Sequence, residues 1–147
     1  MKLSTKGRYA LRLMLDLALQ PQDNCTSLKS VSQRQEISLK YLEQIVTPLI
    51  RCGYVRSVRG AQGGYQLTRP PVEYTVGMIL RTIEGSLAPI ACLEGGSPPC
   101  PRQALCVTVE VYQQIDAAID GVVDHITLED LARRQYEKWD AAGVSHT

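Results

Sequence analysis

Apolar positions recur along this chain first at helical spacing, then at strand spacing, then at helical spacing again. Over residues 5–19, Tyr9, Leu13 and Leu17, flanked by Leu11, Met14, Leu15 and Ala18, predict an amphipathic helix. Lys6, Arg8, Arg12 and Asp16 fall off its apolar face, and Pro21 stops it. Ser27 is placed to cap a short helix reaching about Gln35, with Leu28 and Val31 inward. Glu36, Ile37 and Ser38 make a tight turn. Ser38 caps a third helix with Leu39, Leu42, Ile45, Val46, Leu49 and Ile50 on one side. Lys40, Tyr41, Glu43, Gln44 and Thr47 face outward. Pro48 removes a backbone donor and crowds the preceding turn, which predicts a kink or break near Thr47. Gly53 closes the helix as a left-handed cap.

Tyr54–Val58 and Gly64–Thr68 alternate as strands do, around an Arg59-Gly60-Ala61-Gln62-Gly63 loop too rich in glycine for a helix. Thr75 caps a helix with Val76, Ile79, Leu80 and Ile83 inward, ending at Gly85. Residues 86–105 carry glycines and prolines that forbid regular structure. Residues 107–125 then form a long helix in which Val111, Ile115, Ala118, Ile119, Val122 and Ile126 make a seam fit for another helix. Thr127 with Asp130 resembles a capping box opening a last helix to about Trp139. The predicted fold is mostly α with a small β-hairpin wing: a winged helix-turn-helix plus a long C-terminal dimerisation helix. The expected organisation is a DNA-binding domain over 1–85, a cysteine-bearing loop over 86–106, the dimerisation and terminal helices over 107–140, and a tail over 141–147 that frays from Gly143 to Thr147.

Charge sharpens this. The 147-residue chain has a net charge of +1. Residues 1–70 carry eleven Lys/Arg and four Asp/Glu, whereas residues 71–147 carry five and eleven. A basic half beside an acidic half points to a polyanionic partner for the first half only. Phe is absent, so Leu, Ile, Val and Met build the core. No signal peptide and no apolar run near the roughly 18 residues of a membrane span is seen, which predicts a cytoplasmic protein with no membrane association.

The outward side chains near the start of the third helix suit the major groove, where Gln44 can hold an adenine edge and Glu43 can accept from cytosine. Lys40 and Tyr41 suit phosphates as well as bases. On the hairpin, Arg56 and Arg59 are the candidate contacts. Arg59 on a narrow glycine loop suits the minor groove, and Gly60, Gly63 and Gly64 allow close approach and positive φ. Cys92, Cys100 and Cys106 are separated by seven and then five residues in the flexible loop. Three thiolates suit an iron–sulfur cluster or zinc, and either needs a fourth ligand. Cys52 reads as a small core residue and Cys25 as a loop residue without a role.

Lys2-Leu3-Ser4-Thr5-Lys6-Gly7-Arg8-Tyr9-Ala10, Ile37-Ser38, Tyr41-Leu42-Glu43-Gln44 and Val58-Arg59-Gly60-Ala61-Gln62-Gly63-Gly64-Tyr65 resemble the IscR-type family of winged-helix bacterial regulators, to about Leu131. The resemblance implies a homodimer on a partly palindromic operator in duplex DNA. Lys40, Glu43, Gln44 and Arg59 stand where family members contact that DNA. It also implies a cluster, commonly [2Fe–2S], in the three-cysteine loop, sensing cluster status to control iron–sulfur assembly genes. The chain departs from the family where a histidine often follows the third cysteine, since Val109 stands there, and Arg8 replaces an acidic residue some relatives supply from the partner. The fourth ligand is therefore open among Glu110, Glu94, Glu43 or a thiol, with His125 too distant. A weak fourth ligand would make the cluster labile. The competing readings are a nitric oxide or cysteine-metabolism responsive repressor of the same superfamily, the second opposed by the cysteine triplet because such members can lack this loop, and a protein-docking winged helix with structural zinc. Nothing indicates an enzyme or a small-molecule substrate: no nucleophile–base order or nucleotide-binding glycine loop is present.

Overall fold

The computed structural model describes residues 2–146. Its order is α1 (Thr5–Leu19), α2 (Leu28–Gln35), α3 (Leu39–Arg51), β1 (Val55–Val58), β2 (Gly64–Leu67), α4 (Val76–Glu84), α5 (Val107–Val123) and α6 (Leu128–Ala142). Short 3-10 turns lie at Pro71–Glu73, Ala91–Leu93 and Gln103–Leu105. The last two relieve the irregularity expected of the loop. No described helix is long and apolar enough to cross a membrane.

Local signals fix the boundaries. Ser4, Ser27, Ser38 and Thr75 each accept a hydrogen bond from the first turn of the helix they cap. Thr127 and Asp130 form the reciprocal capping box, short as Asp130 is. α1 lies at the centre, and Leu13, Met14, Leu42, Ile45, Leu49, Ile79 and Leu128 from four helices close the core around it.

Three expectations are corrected. Pro48 does not break α3, which continues to Arg51. Its missing N–H falls in the last turn, opposite the exposed Gln44, and buried Val46 and Leu49 on either side hold the turn in place. Leu39 and Ile50 are exposed, so the apolar stripe is narrower than its sequence. Cys52 is exposed rather than in the core. The described part of the tail folds back on α6: Gly143 takes a left-handed cap (φ 69°), and the His146 ring stacks on Trp139 at 5.6 Å while bonding Asp140 at 2.9 Å. Thr147 lies outside the described residues.

Asp16 is the largest departure from pattern. It is buried at 1% exposure, and its carboxylate accepts from Arg34 Nε (3.1 Å) and Nη2 (2.7 Å) and from Gln35 Nε2 (3.0 Å). This bidentate pair ties α1 to α2. Arg34→Ala strands the buried carboxylate on one amide. With a discount for the half-exposed guanidinium, the variant is expected to lose about 2 kcal/mol. Urea denaturation should show a lower midpoint at unchanged slope, and a midpoint equal to that of the parent would refute the assignment.

Candidate nucleic-acid interface

α2 and α3 meet at Glu36, whose left-handed backbone (φ 54°) makes the turn sharp. Arg12 reaches across from α1 to cap the last carbonyl of α2, Gln35 O, and Ser32 Oγ donates to Ile37 O at 2.5 Å. Ser38 then starts α3 by accepting from Tyr41 N at 3.2 Å. With no acid in its first turn, that end of α3 keeps the positive pole of the helix dipole beside Lys40.

Lys40, Glu43 and Gln44 are exposed on the side of α3 opposite buried Leu42, Ile45 and Leu49. Tyr41 is half-buried and meets Tyr9 of α1 edge-on at 5.6 Å. The guanidiniums of Arg12 and Arg8 stand 5.4 and 6.0 Å from the Tyr9 ring, which adds positive charge beside the start of α3.

The wing follows directly. β1 and β2 pair antiparallel, Val55 opposite Leu67 through Val58 opposite Gly64. Arg59 is exposed at the tip and has no side-chain partner among the described residues. Gly60 (φ 117°) and Gly64 (φ 150°) occupy backbone states that favour glycine. Gly63 does not, but a Cβ there would collide with Val58 O. Arg56 donates from Nε to Gln66 Oε1 at 2.7 Å, so one edge of it is anchored across the hairpin.

Two anchors that the sequence did not signal hold the wing to the body. Thr26 and Tyr65 exchange two backbone hydrogen bonds of 2.8 Å, where a Cβ on Gly64 would lie 2.6 Å from Thr26 O. At the base, fully buried Tyr74 donates its hydroxyl to Tyr54 O (2.7 Å) and accepts from Thr68 N and Arg69 N (3.1 Å each). Tyr74 lies in a Pro-bounded connection with no periodicity, which hides it from pattern analysis.

The cysteine loop has a different character. Cys92 sits in a 3-10 turn and is exposed, Cys100 is exposed, and Cys106 is the half-buried residue preceding α5. The Thr108 hydroxyl, 3.3 Å from its sulfur, and then the Val109 N–H hold the Cys106 thiol below its ordinary range. Among the described residues, no three His, Cys, Asp or Glu side chains gather as a metal site. The donor type suits iron and sulfide, but the loop as folded does not bring the three thiols together: Cys106 is fixed to α5, Cys92 to its own turn, and Cys100 lies between prolines. Val109 is buried, while Glu94 and Glu110 are exposed. The long-helix seam is open in the single chain, with Val111 and Val122 more than half exposed.

Residues 3–134 match the Rrf2 family model, described as iron-dependent transcriptional regulator. The chain is 44% identical over 132 residues to the HTH-type transcriptional regulator CymR of Bacillus subtilis, covering 90% of each. The solved structure of CymR, described as the global cysteine regulator of B. subtilis, superposes with a TM-score of 0.78 at 42% identity, covering 91% of this chain and 98% of that one. The T. potens IscR structure gives 0.76 at 38% identity, covering 100% and 94%.

Proposed function

From the premise that this chain belongs to the Rrf2 family of DNA-binding transcriptional regulators, we propose that it binds a partly palindromic operator in duplex DNA as a homodimer. In this reading α3 of each subunit enters a major groove and the wing enters the neighbouring minor groove. Gln44 and Glu43 read base edges, Lys40 and Tyr41 grip phosphates, and Arg59 on Gly60 senses groove width. Arg56, held on one edge by Gln66, offers its other edge to the backbone. The carrying observation is that exposed α3 side chains and an unpartnered wing arginine follow one another in the basic half of the chain. The exposed α5 seam is the surface for the second subunit.

Arg59→Ala is expected to weaken operator binding by about tenfold and to relax A·T preference where the wing lies. Anisotropy titrations on A·T- and G·C-flanked duplexes measure both, and equal affinities for variant and parent would reject the wing contact.

For the signal, the extent of likeness to a cysteine regulator supports a repressor that responds to cysteine metabolism. One observation favours a second reading: three thiols fall within the fifteen residues 92–106. In that reading Cys92, Cys100 and Cys106 hold a [2Fe–2S] cluster, which gives the loop a redox- or nitric oxide-sensitive inorganic core once it closes. Anaerobic purification from iron-replete cells separates the two. Visible absorption with matched iron and sulfide selects the cluster. Colourless, iron-free protein that still binds its operator selects the cysteine-metabolism reading.

A further inference from the structure

The joint between the DNA-reading body and α5 is narrow. Its apolar part is a small cluster around Val76, Leu80 and Val123. Its polar part is one side chain, beside two backbone bonds, Val76 N to Ile126 O and Leu128 N to Tyr74 O (2.9 Å each), that pin the turn after α5. Among the described residues, the side-chain hydrogen bonds from α4 to α5 all belong to Arg81: Nη1 to Asp124 Oδ1 (2.5 Å), Nη2 to Asp120 Oδ1 (2.6 Å) and Nη2 to Asp124 Oδ2 (3.2 Å). Asp120 in α5 and Asp124, the residue that caps its C-terminal end, stand one turn apart on the same face. Gly77, one turn before Arg81, leaves the room, since a Cβ there would overlap both Asp124 Oδ1 and Arg81 Nη1.

Stability does not account for this arrangement. The side chains of Arg81, Asp120 and Asp124 are 37%, 50% and 38% exposed, and ion pairs in water add little to folding. A planar fork does supply direction. Two anchor points a turn apart resist both sliding and rotation of α5 against α4. The hydrogen bond from Arg81 also holds the Asp124 carboxyl below the usual carboxylate range, which keeps the fork ionised.

We propose that Arg81 is a positioning residue for operator spacing: its fork on Asp120 and Asp124 sets the angle between α5 and the DNA-reading body, and thereby the separation of the two recognition helices. The proposal rests on the dimeric, two-half-site reading above. α5 carries the seam to the second subunit and the body carries α3, so rotation at this joint moves the two reading heads relative to each other. One base pair of spacer shifts a half-site by about 3.4 Å and roughly 35° around the duplex. A stiff joint must reject that shift, and a loose one can follow it.

The experiment uses an operator selected from random duplexes by the full-length protein, then remade with one base pair added to or removed from its centre. Wild type is expected to prefer the selected spacing by roughly tenfold or more, because the duplex must otherwise be twisted to fit. In Arg81→Gln that preference should collapse towards parity, while dimerisation by sedimentation and binding to an isolated half-site stay unchanged. The double variant Asp120→Asn with Asp124→Asn should do the same from the other side of the joint, and Arg81→Lys, which keeps the charge without the fork, should fall between. Wild-type spacing preference in either Arg81→Gln or the double variant, with the dimer intact, overturns the proposal. A wild-type protein that is monomeric or ignores spacing overturns the dimer reading, and this proposal with it.

Discussion

Raising the salt from about 50 to 200 mM should weaken operator binding by roughly a thousandfold. The magnitude follows from where the charge lies, because the net charge of +1 would by itself predict almost no pull on DNA. Of the eleven basic residues of the first half, six lie on the helix-turn-helix and wing and four at the N-terminus and along α1, and the acidic excess falls in the second half. Lys40 and Arg59 are exposed on the reading face, and Arg8 and Arg12 flank Tyr9 behind it. If three such side chains per subunit neutralise phosphates, a dimer releases about six counterions, and the slope of log affinity against log salt is near −5. Anisotropy titrations at four or five salt concentrations give that slope directly. A slope near zero would instead support the protein-docking reading of the winged helix.

The helix-turn-helix, the wing and every helix cap named from sequence are local features, which is why they were legible. Ser27, Ser38 and the Thr127–Asp130 box act within one turn of themselves, and the Gly60 conformation is demanded by the hairpin tip alone. What escaped depends on contacts between distant segments. Asp16 looks like one more polar residue on α1 until Arg34 and Gln35 arrive from α2 to satisfy it. Pro48 looks like a helix breaker until the burial of Leu49 outweighs one missing hydrogen bond on a wet face. Arg81 carries no motif, and its partners are some forty residues away. The cysteine loop is the reverse case. The three thiols are plain in the sequence, but no local rule gathers them, and the loop as folded keeps them on separate supports.

Removing a single oxygen at Tyr74 tests how the wing is held. Tyr74→Phe is expected to destabilise the protein by close to 3 kcal/mol and to lower Tm by roughly 5–10 °C. The ring itself loses nothing: it stays fully buried and edge-on to Tyr54 at 5.7 Å. The hydroxyl, however, is the meeting point of three backbone groups at the open end of the hairpin. Its one proton goes to Tyr54 O at 2.7 Å, and its lone pairs receive Thr68 N and Arg69 N at 3.1 Å. The nearby Thr68 hydroxyl spends its one proton on Gly53 O at 2.6 Å, so it has none to give Tyr54 O. In the variant, Tyr54 O and Thr68 N retain only their mutual bond of 3.3 Å, and Arg69 N loses its partner. Three part-buried hydrogen bonds are lost with that one atom, which is why it outweighs the Arg34–Asp16 pair. The site lies between the strand that leads to Arg59 and the connection to α4, so the same change should weaken operator binding at temperatures where the protein is still folded. Thermal melts with anisotropy titrations below the transition measure both effects. A variant with parental Tm and parental affinity would show that the hairpin base is held by something other than this hydroxyl.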